Sequence, residues 1–215
     1  MADLTPERNS PAAVAVPLGD RRLLMRPHGC FACGELNVSG LHLQLHAGAG
    51  VCWAEPTLDT RFMGWEGIAH GGIICTILDE VMAWALVDDD SWGVTARMSV
   101  DFRSPVPIGQ RLRAEGRVVD RHRRLIRTEG RLLLAEAGTL LATAEATYVD
   151  APPDRKAELK RLYEFRIEPG DGASQPAWIP PWPAADRRGP ARVDAPPGST
   201  DRAGARRPRP SDTSQ

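Results

Sequence analysis

The chain has 215 residues, of which 42% are hydrophobic, and a formal net charge of -1 at neutral pH. This length fits one domain with tails, and the near-zero charge gives no electrostatic reason to expect nucleic acid or a membrane surface as a partner. The first residues lack a basic segment followed by an apolar run, so no secretory signal is predicted and the expected location is the cytoplasm.

Composition divides the chain into four segments. Residues 1–27 are expected to be a flexible N-terminal extension, and residues 28–150 carry the strand and helix patterns of the main domain. A C-terminal segment, 151–169, contains a predicted amphipathic helix that would carry Leu159, Leu162, Tyr163 and Phe165 onto the domain. Residues 170–215 are rich in proline and arginine without an apolar period, which predicts a disordered tail. The isolated stretch AWIPPWP (177–183) could dock on the domain or bind a partner.

Two strands are predicted first within the main domain. LHLQLH (41–46) alternates leucines with polar residues, AGAG (47–50) supplies a turn, and VCWAEP (51–56) continues as the second strand. A helix of about 17 residues with apolar residues on most sides follows, and such a helix should be wrapped by other elements.

Four strands are predicted after this helix. VTARMSVDFR (94–103) alternates apolar and polar residues, which is typical of a half-buried antiparallel strand, and the segments 111–120, 124–135 and 139–149 follow it. An antiparallel sheet that curls around one long central helix satisfies these patterns. The predicted class is therefore α+β.

The stretch GWEGIAHGGIICTILDEVMAWAL (64–86) contains the candidate chemistry. Free N–H groups at a helix start carry partial positive charge, and glycine lets a substrate approach them, so Gly71 and Gly72 suit a carbonyl that becomes an oxyanion. His70 would then lie at the entrance. Asp79 could deprotonate a water or attack a thioester directly.

Purely structural roles are the alternative to a catalytic role for these residues. A lone histidine before a helix is more often a cap or a packing residue. Asp79 and Glu80 both have apolar neighbours at helical spacing, and spacing alone does not choose between them.

Three motifs resemble one protein family. They are CFACGELNVSGL (30–41), the stretch 64–86, and TARMSVDFRSPVPIG (95–109), in this order. The region 28–150 resembles the hotdog-fold acyl-CoA thioesterases of the phenylacetate-pathway and THEM4-like type. The resemblance implies a hotdog fold, an acyl-CoA substrate, hydrolysis to free acid and coenzyme A, and no cofactor. It also implies that Asp79 is the active acid.

Further expectations follow from the resemblance. Thr95 matches the hydroxyl residue that faces the acid across the subunit boundary in related thioesterases. A curled one-helix sheet leaves a strand edge, so a homodimer or a homotetramer is expected. Some relatives have Asn where this chain has Gly64, and Glu66 or Trp65 could substitute for it. Arg121, Arg123 and Arg124 are candidates for the phosphates of coenzyme A.

Alternative hypotheses remain for the CFAC pair and for the function. The CFAC pair, with His28 and His42 nearby, fits no strong zinc pattern, and a thioredoxin-like motif would need a βαβ setting, so no metal is expected. A non-catalytic acyl-CoA binding or regulatory protein is the competing function. A hotdog dehydratase or hydratase is a second rival, but its histidine and acid pattern is not apparent.

Overall fold

The structure is a computed structural model that describes residues 13–170. Its two α-helices are α1 (Gly71–Trp84) and α2 (Pro153–Leu162). Its eleven strands are β1 (Val14–Leu18), β2 (Arg21–Met25), β3 (His46–Gly48), β4 (Val51–Ala54), β5 (Met63–Trp65), β6 (Ile68–Ala69), β7 (Gly93–Phe102), β8 (Leu112–His122), β9 (Leu125–Leu134), β10 (Leu140–Asp150) and β11 (Arg166–Pro169).

Nine of these strands form one sheet in the order β11-β2-β1-β3-β4-β8-β9-β10-β7. All neighbours pair antiparallel except β1 and β3, which meet in parallel at Leu18 and Ala47. The strands β5 and β6 form a separate small ladder directly before α1. The predicted α+β class, with an antiparallel sheet around one central helix, is confirmed.

A row of small residues crosses the sheet beneath α1. Cys52 of β4 pairs with Gly116 of β8, Gly116 pairs with Gly130 of β9, and Gly130 pairs with Ala144 of β10. A Cβ atom at Gly116 would lie 2.4 Å from the backbone oxygen of Val81. The row therefore lets the backbone of α1 approach the backbone of the sheet.

The helix buries one broad face against this row. Its fully buried side chains are Ile74, Ile77, Leu78, Val81 and Met82. Burial of each such side chain contributes roughly 1.5–3 kcal/mol relative to exposure. This face of α1 therefore makes a large contribution to the folding free energy of the domain. α1 has 14 residues instead of the expected 17, because the chain turns into a short 3-10 segment, Val87–Asp89.

The N-terminal half differs from the sequence-based prediction in two places. Residues 14–25, expected within a flexible extension, form the β1–β2 hairpin on the sheet. The stretch 41–45 is not a strand, and the ladder begins only at His46. The amides of Leu41 and Leu43 donate instead to Phe31 and Ala32 of the preceding loop.

The strand β7 is less buried than its alternating pattern predicts. Val94 is 72% exposed and Phe102 is 54% exposed. The reason is the position of β7 at the end of the sheet order, with β10 as its one strand neighbour within the described chain. The apolar face predicted for the half-buried strand is thus partly open to solvent.

The C-terminal segment forms the expected helix, but its apolar residues differ in burial. Phe165 packs on Trp92, with ring centroids 4.4 Å apart, whereas Leu162 is 47% exposed. The AWIPPWP stretch and nearly all of the predicted tail lie outside the described residues. Neither helix within residues 13–170 has the length and apolar character needed to cross a membrane.

Substitution of Gly116 by Ala tests the close packing of α1 on the sheet. The added methyl would meet Val81 backbone that cannot move without shifting the helix, so we expect a loss of about 2 kcal/mol in the free energy of unfolding. Chemical denaturation measures this loss. Gly29→Ala is the matched control, because nothing lies within 4 Å of a Cβ there, and its effect should stay within about 0.5 kcal/mol.

Candidate functional site

The HGG motif begins α1 as expected, and His70 is its N-cap. The Nδ1 atom of His70 accepts a hydrogen bond from the Gly72 amide at 2.9 Å. This is the capping role that the structural alternative predicted for the histidine. The Gly72 amide is therefore occupied, and Gly71, the first helical residue, keeps an N–H with no acceptor in its own helix.

Gly64, the position at which the resemblance implied Asn in some relatives, packs closely against the cap of α1. A Cβ atom at Gly64 would lie 3.0 Å from the Cα atom of His70, so a larger side chain would push against the cap. Trp65 and Glu66 follow at the tip of the β5–β6 ladder and are both exposed, Trp65 by 84%. They flank the start of α1, and within residues 13–170 neither side chain forms a hydrogen bond with His70.

Asp79 lies where α1 passes over β7 and β10. Its Oδ1 atom accepts hydrogen bonds from the Thr95 hydroxyl at 2.9 Å and from the Tyr148 hydroxyl at 2.8 Å. Thr95 thus contacts the acid within one chain, and not across a subunit boundary as the resemblance implied. The Oδ2 atom of the half-buried Asp79 has no hydrogen-bond partner among residues 13–170.

Tyr148 is the site residue that sequence reasoning missed. It is fully buried, and its hydroxyl also lies 2.9 Å from the backbone oxygen of Asp79. Burial, followed by the Asp79 carboxylate, raises the pKa of Tyr148 well above its usual range, so the hydroxyl stays protonated and donates. The signal was present in the sequence, because Tyr148 ends the inward row of alanines Ala142, Ala144 and Ala146.

Glu80 points away from Asp79 and toward the N-terminal loop. Its Oε1 atom accepts a hydrogen bond from Trp84 Nε1 at 2.9 Å, and both carboxylate oxygens lie 4.0 Å from Cys30 Sγ. Burial, followed by the charge of Cys30, raises the pKa of Glu80 to about 7. The two neighbouring acids therefore belong to different environments, which helical spacing could not show.

One chain does not bring Gly71 and Asp79 to the same point. Eight residues separate them along α1, which corresponds to about 12 Å at ~1.5 Å per residue. A carbonyl bound at ~3 Å by the Gly71 amide lies beyond hydrogen-bond reach of Asp79 in the same chain. The expected arrangement of both groups around one carbonyl is thus not formed within a single chain.

The predicted phosphate-binding arginines lie at the other end of the helix. Arg121 donates to Ser91 Oγ at 2.7 Å and pairs with Asp89 at 2.7 Å, and both partners follow α1. Arg124 donates to the backbone oxygen of Asp150 at 2.9 Å. Arg123 is exposed at the β8–β9 turn. None of the three contacts the start of α1, where Gly71 meets the Phe102 end of β7.

Comparison with known proteins agrees with this architecture. Residues 66–145, which include α1 and the strands β7 to β9, match the sequence model of the thioesterase superfamily. No curated protein matches the chain.

Two solved structures have a similar fold. A thioesterase superfamily protein is 26% identical with a TM-score of 0.54, and the match covers 57% of this chain and 60% of that protein, less than two thirds of its length. Zebra fish thioesterase superfamily member 2 is 18% identical with a TM-score of 0.51, and the match covers 55% of this chain and 90% of the fish protein.

Residues 66–145 are therefore similar in sequence to the thioesterase superfamily, and the chain has the hotdog fold.

Proposed function

We propose that the protein hydrolyses acyl-CoA thioesters to a free acid and coenzyme A. The observation that carries this proposal is the state of the Asp79 carboxylate. Two hydroxyl donors, from Thr95 and Tyr148, hold its Oδ1 atom, while Oδ2 has no protein partner among the described residues. A carboxylate that is fixed at one oxygen and free at the other is suited to act on a water or on a carbonyl carbon.

The chemical step follows from these positions. In the first route, the Oδ2 atom of Asp79 takes a proton from a water that attacks the carbonyl carbon; the C–S bond then breaks, and the departing coenzyme A thiolate takes up that proton. In the second route, Oδ2 attacks the carbonyl carbon, the C–S bond breaks to release the coenzyme A thiolate, and water opens the resulting anhydride to give the free acid and the Asp79 carboxylate. In both routes negative charge develops on the carbonyl oxygen. The Gly71 amide at the positive end of α1 stabilises that charge. His70 supports this amide indirectly, because it caps the helix start and occupies the Gly72 amide.

The proposed active unit is a homodimer whose sites combine two chains. Because Gly71 and Asp79 of one chain lie about 12 Å apart, the carbonyl must be held by Gly71 of one copy and attacked by Asp79 of the other. The exposed edge strand β7 offers the surface for such pairing, since Val94 and Phe102 present apolar side chains there. A twofold axis would cover this edge and create two equivalent sites.

Substrate recognition is assigned to residues at the two ends of α1. Glu66 and Trp65 beside the helix start are placed to contact the pantetheine or acyl portion. Arg123 and Arg124 at the β8–β9 turn stay candidates for the phosphates of coenzyme A. Arg121 is the weaker candidate, because it is already paired with Asp89 and Ser91.

A non-catalytic acyl-CoA binding protein is the second candidate function. It would keep the helix start and the apolar edge, and it would not need Asp79 to hold a free carboxylate oxygen. Release of free thiol from a panel of acyl-CoA esters separates the two, because a binding protein gives no turnover with any ester.

Asp79→Asn tests the proposed role of the carboxylate. The amide keeps the shape and can still accept from Thr95 and Tyr148, but it cannot take a proton or attack, so kcat should fall by at least about 100-fold. KM should change much less, because the contacts to coenzyme A lie elsewhere. Thiol release under steady-state conditions measures both values.

Glu80→Gln is the matched control for the loss of one helix carboxylate. Glu80 faces Trp84 and Cys30 instead of Asp79's hydroxyl partners, so its loss of kcat should be clearly smaller. The assignment of Asp79 as the active carboxylate would be contradicted by near-normal turnover of Asp79→Asn. It would also be contradicted if Glu80→Gln were inactive while Asp79→Asn stayed active.

Val94→Glu tests the dimer through the edge strand. Val94 is 72% exposed, so the folding of each chain should change by no more than about 0.5 kcal/mol. In the proposed pairing this glutamate would be buried against the apolar end of β7 in the other copy, which should shift the protein from dimer to monomer at micromolar concentration, and thiol release should fall with it. Light scattering after size exclusion measures the mass.

Val38→Glu is the control for this experiment, because Val38 is 84% exposed and lies outside β7. It should leave the mass and the turnover unchanged. A wild-type monomer with full activity would rule out sites that combine two chains.

A further inference from the structure

A cluster of three potential metal ligands lies on the side of α1 away from Asp79. Cys30 and Cys33 come from the N-terminal loop, and Glu80 comes from the helix. One donor atom from each lies within 4.8 Å of the other two. Zinc bonds of ~2.3 Å to sulfur and ~2.0–2.2 Å to oxygen would place tetrahedral ligands about 3.5–3.8 Å apart, so small side-chain movements close the site.

The loop is built to hold the two thiols together. The Gly34 amide donates to the Cys30 oxygen at 3.0 Å, and the Leu36 amide donates to the His28 oxygen at 3.1 Å, which makes a tight turn. A Cβ atom at Gly34 would lie 2.3 Å from the His28 oxygen, so this turn requires glycine. The glycine directly after CFAC therefore has a structural cause.

The carboxylate of Glu80 has no cationic partner in the described part of the chain. No ion pair of Glu80 is recorded among residues 13–170, and its one strong hydrogen bond comes from the neutral Trp84 indole. Ionised forms of all three groups would repel one another, and a bound divalent cation would offset that repulsion.

We propose that Cys30, Cys33 and Glu80 form a binding site for one zinc ion that ties the N-terminal loop to α1. Two thiolates with one carboxylate match the donor preferences of zinc. The Trp84 indole orients the ligating carboxylate from outside, as outer-shell partners do in metal sites. A cavity of about 180 Å³, lined in part by Cys33, His28 and Trp84, gives water access to the Cys33 side of the cluster.

The sequence alone argued against zinc, because CFAC with nearby histidines fits no finger spacing. The third ligand lies 47 residues after Cys33 on another element, and the fold brings it to the loop. Glu80 is adjacent in sequence to Asp79, so the ion would also fix the helix turn that carries the proposed catalytic acid.

Zinc binding by the full-length chain tests this proposal without any measurement of activity. The protein is reduced, stripped with a chelator and titrated with zinc chloride, and then separately with cobalt(II) chloride. We expect one zinc per chain and, with cobalt, the absorption band of thiolate-to-metal charge transfer. Cys30→Ser and Cys33→Ser should lose the band or shift it strongly. Glu80→Gln should weaken zinc binding by more than the roughly 10-fold that loss of an outer-shell partner already causes.

Cys75→Ser is the matched control, because Cys75 is a half-buried free thiol on α1 outside the cluster. It should keep the stoichiometry and the cobalt band. The proposal is overturned if the wild-type chain binds less than stoichiometric zinc, or if binding survives in the Cys30 and Cys33 variants. It is also overturned if the purified chain holds a Cys30–Cys33 disulfide and still binds no zinc after reduction. The wild-type titration decides the matter even if a variant fails to fold.

Discussion

The close approach of α1 to the sheet at Gly116 is the constraint on which the remaining structure depends. A side chain at this position would overlap the backbone of Val81, so only glycine permits the helix to lie in the curl of the sheet. The depth of the helix determines which strand residues reach it. It brings Thr95 of β7 and Tyr148 of β10 within hydrogen-bond distance of Asp79. It also turns Glu80 toward the loop that contains Cys30.

The polar contacts of Asp79 follow from the burial of Tyr148. A fully buried hydroxyl without an acceptor would cost about 1–3 kcal/mol, and Asp79 provides that acceptor through its side chain and its backbone. The same bonds hold the carboxylate in one orientation. An arrangement that satisfies a buried tyrosine therefore also positions the acid for chemistry.

The sequence predicted the elements whose periodicity is strong and missed features that depend on distant contacts. Alternation in 94–103 and the apolar 64–86 stretch predicted β7 and α1, and the HGG motif located the helix start. The β1–β2 hairpin is a local pair around Gly19 and Asp20 that was overlooked, and only its attachment to the sheet at Ala47 is long-range. The 41–45 segment was misassigned because its amides bond to a neighbouring loop. Only the fold separates Asp79 from Glu80, since both have similar neighbours in the helix. The same limit hid the approach of Glu80 to Cys30, whereas the inward alternation that ends at Tyr148 was visible in the sequence.

The central claim is that each site takes Gly71 from one chain and Asp79 from another, and hybrid dimers test it most directly. Gly71→Pro removes the amide hydrogen while keeping the helix start, because proline suits the first helical position and His70 before it is extended. This chain is co-expressed with an Asp79→Asn chain under a second affinity tag, and the dimer is purified over both tags. Each parent should be nearly inactive. The hybrid should recover about half of the wild-type turnover per dimer, since one of its two sites is intact. A hybrid no more active than its parents would contradict the claim.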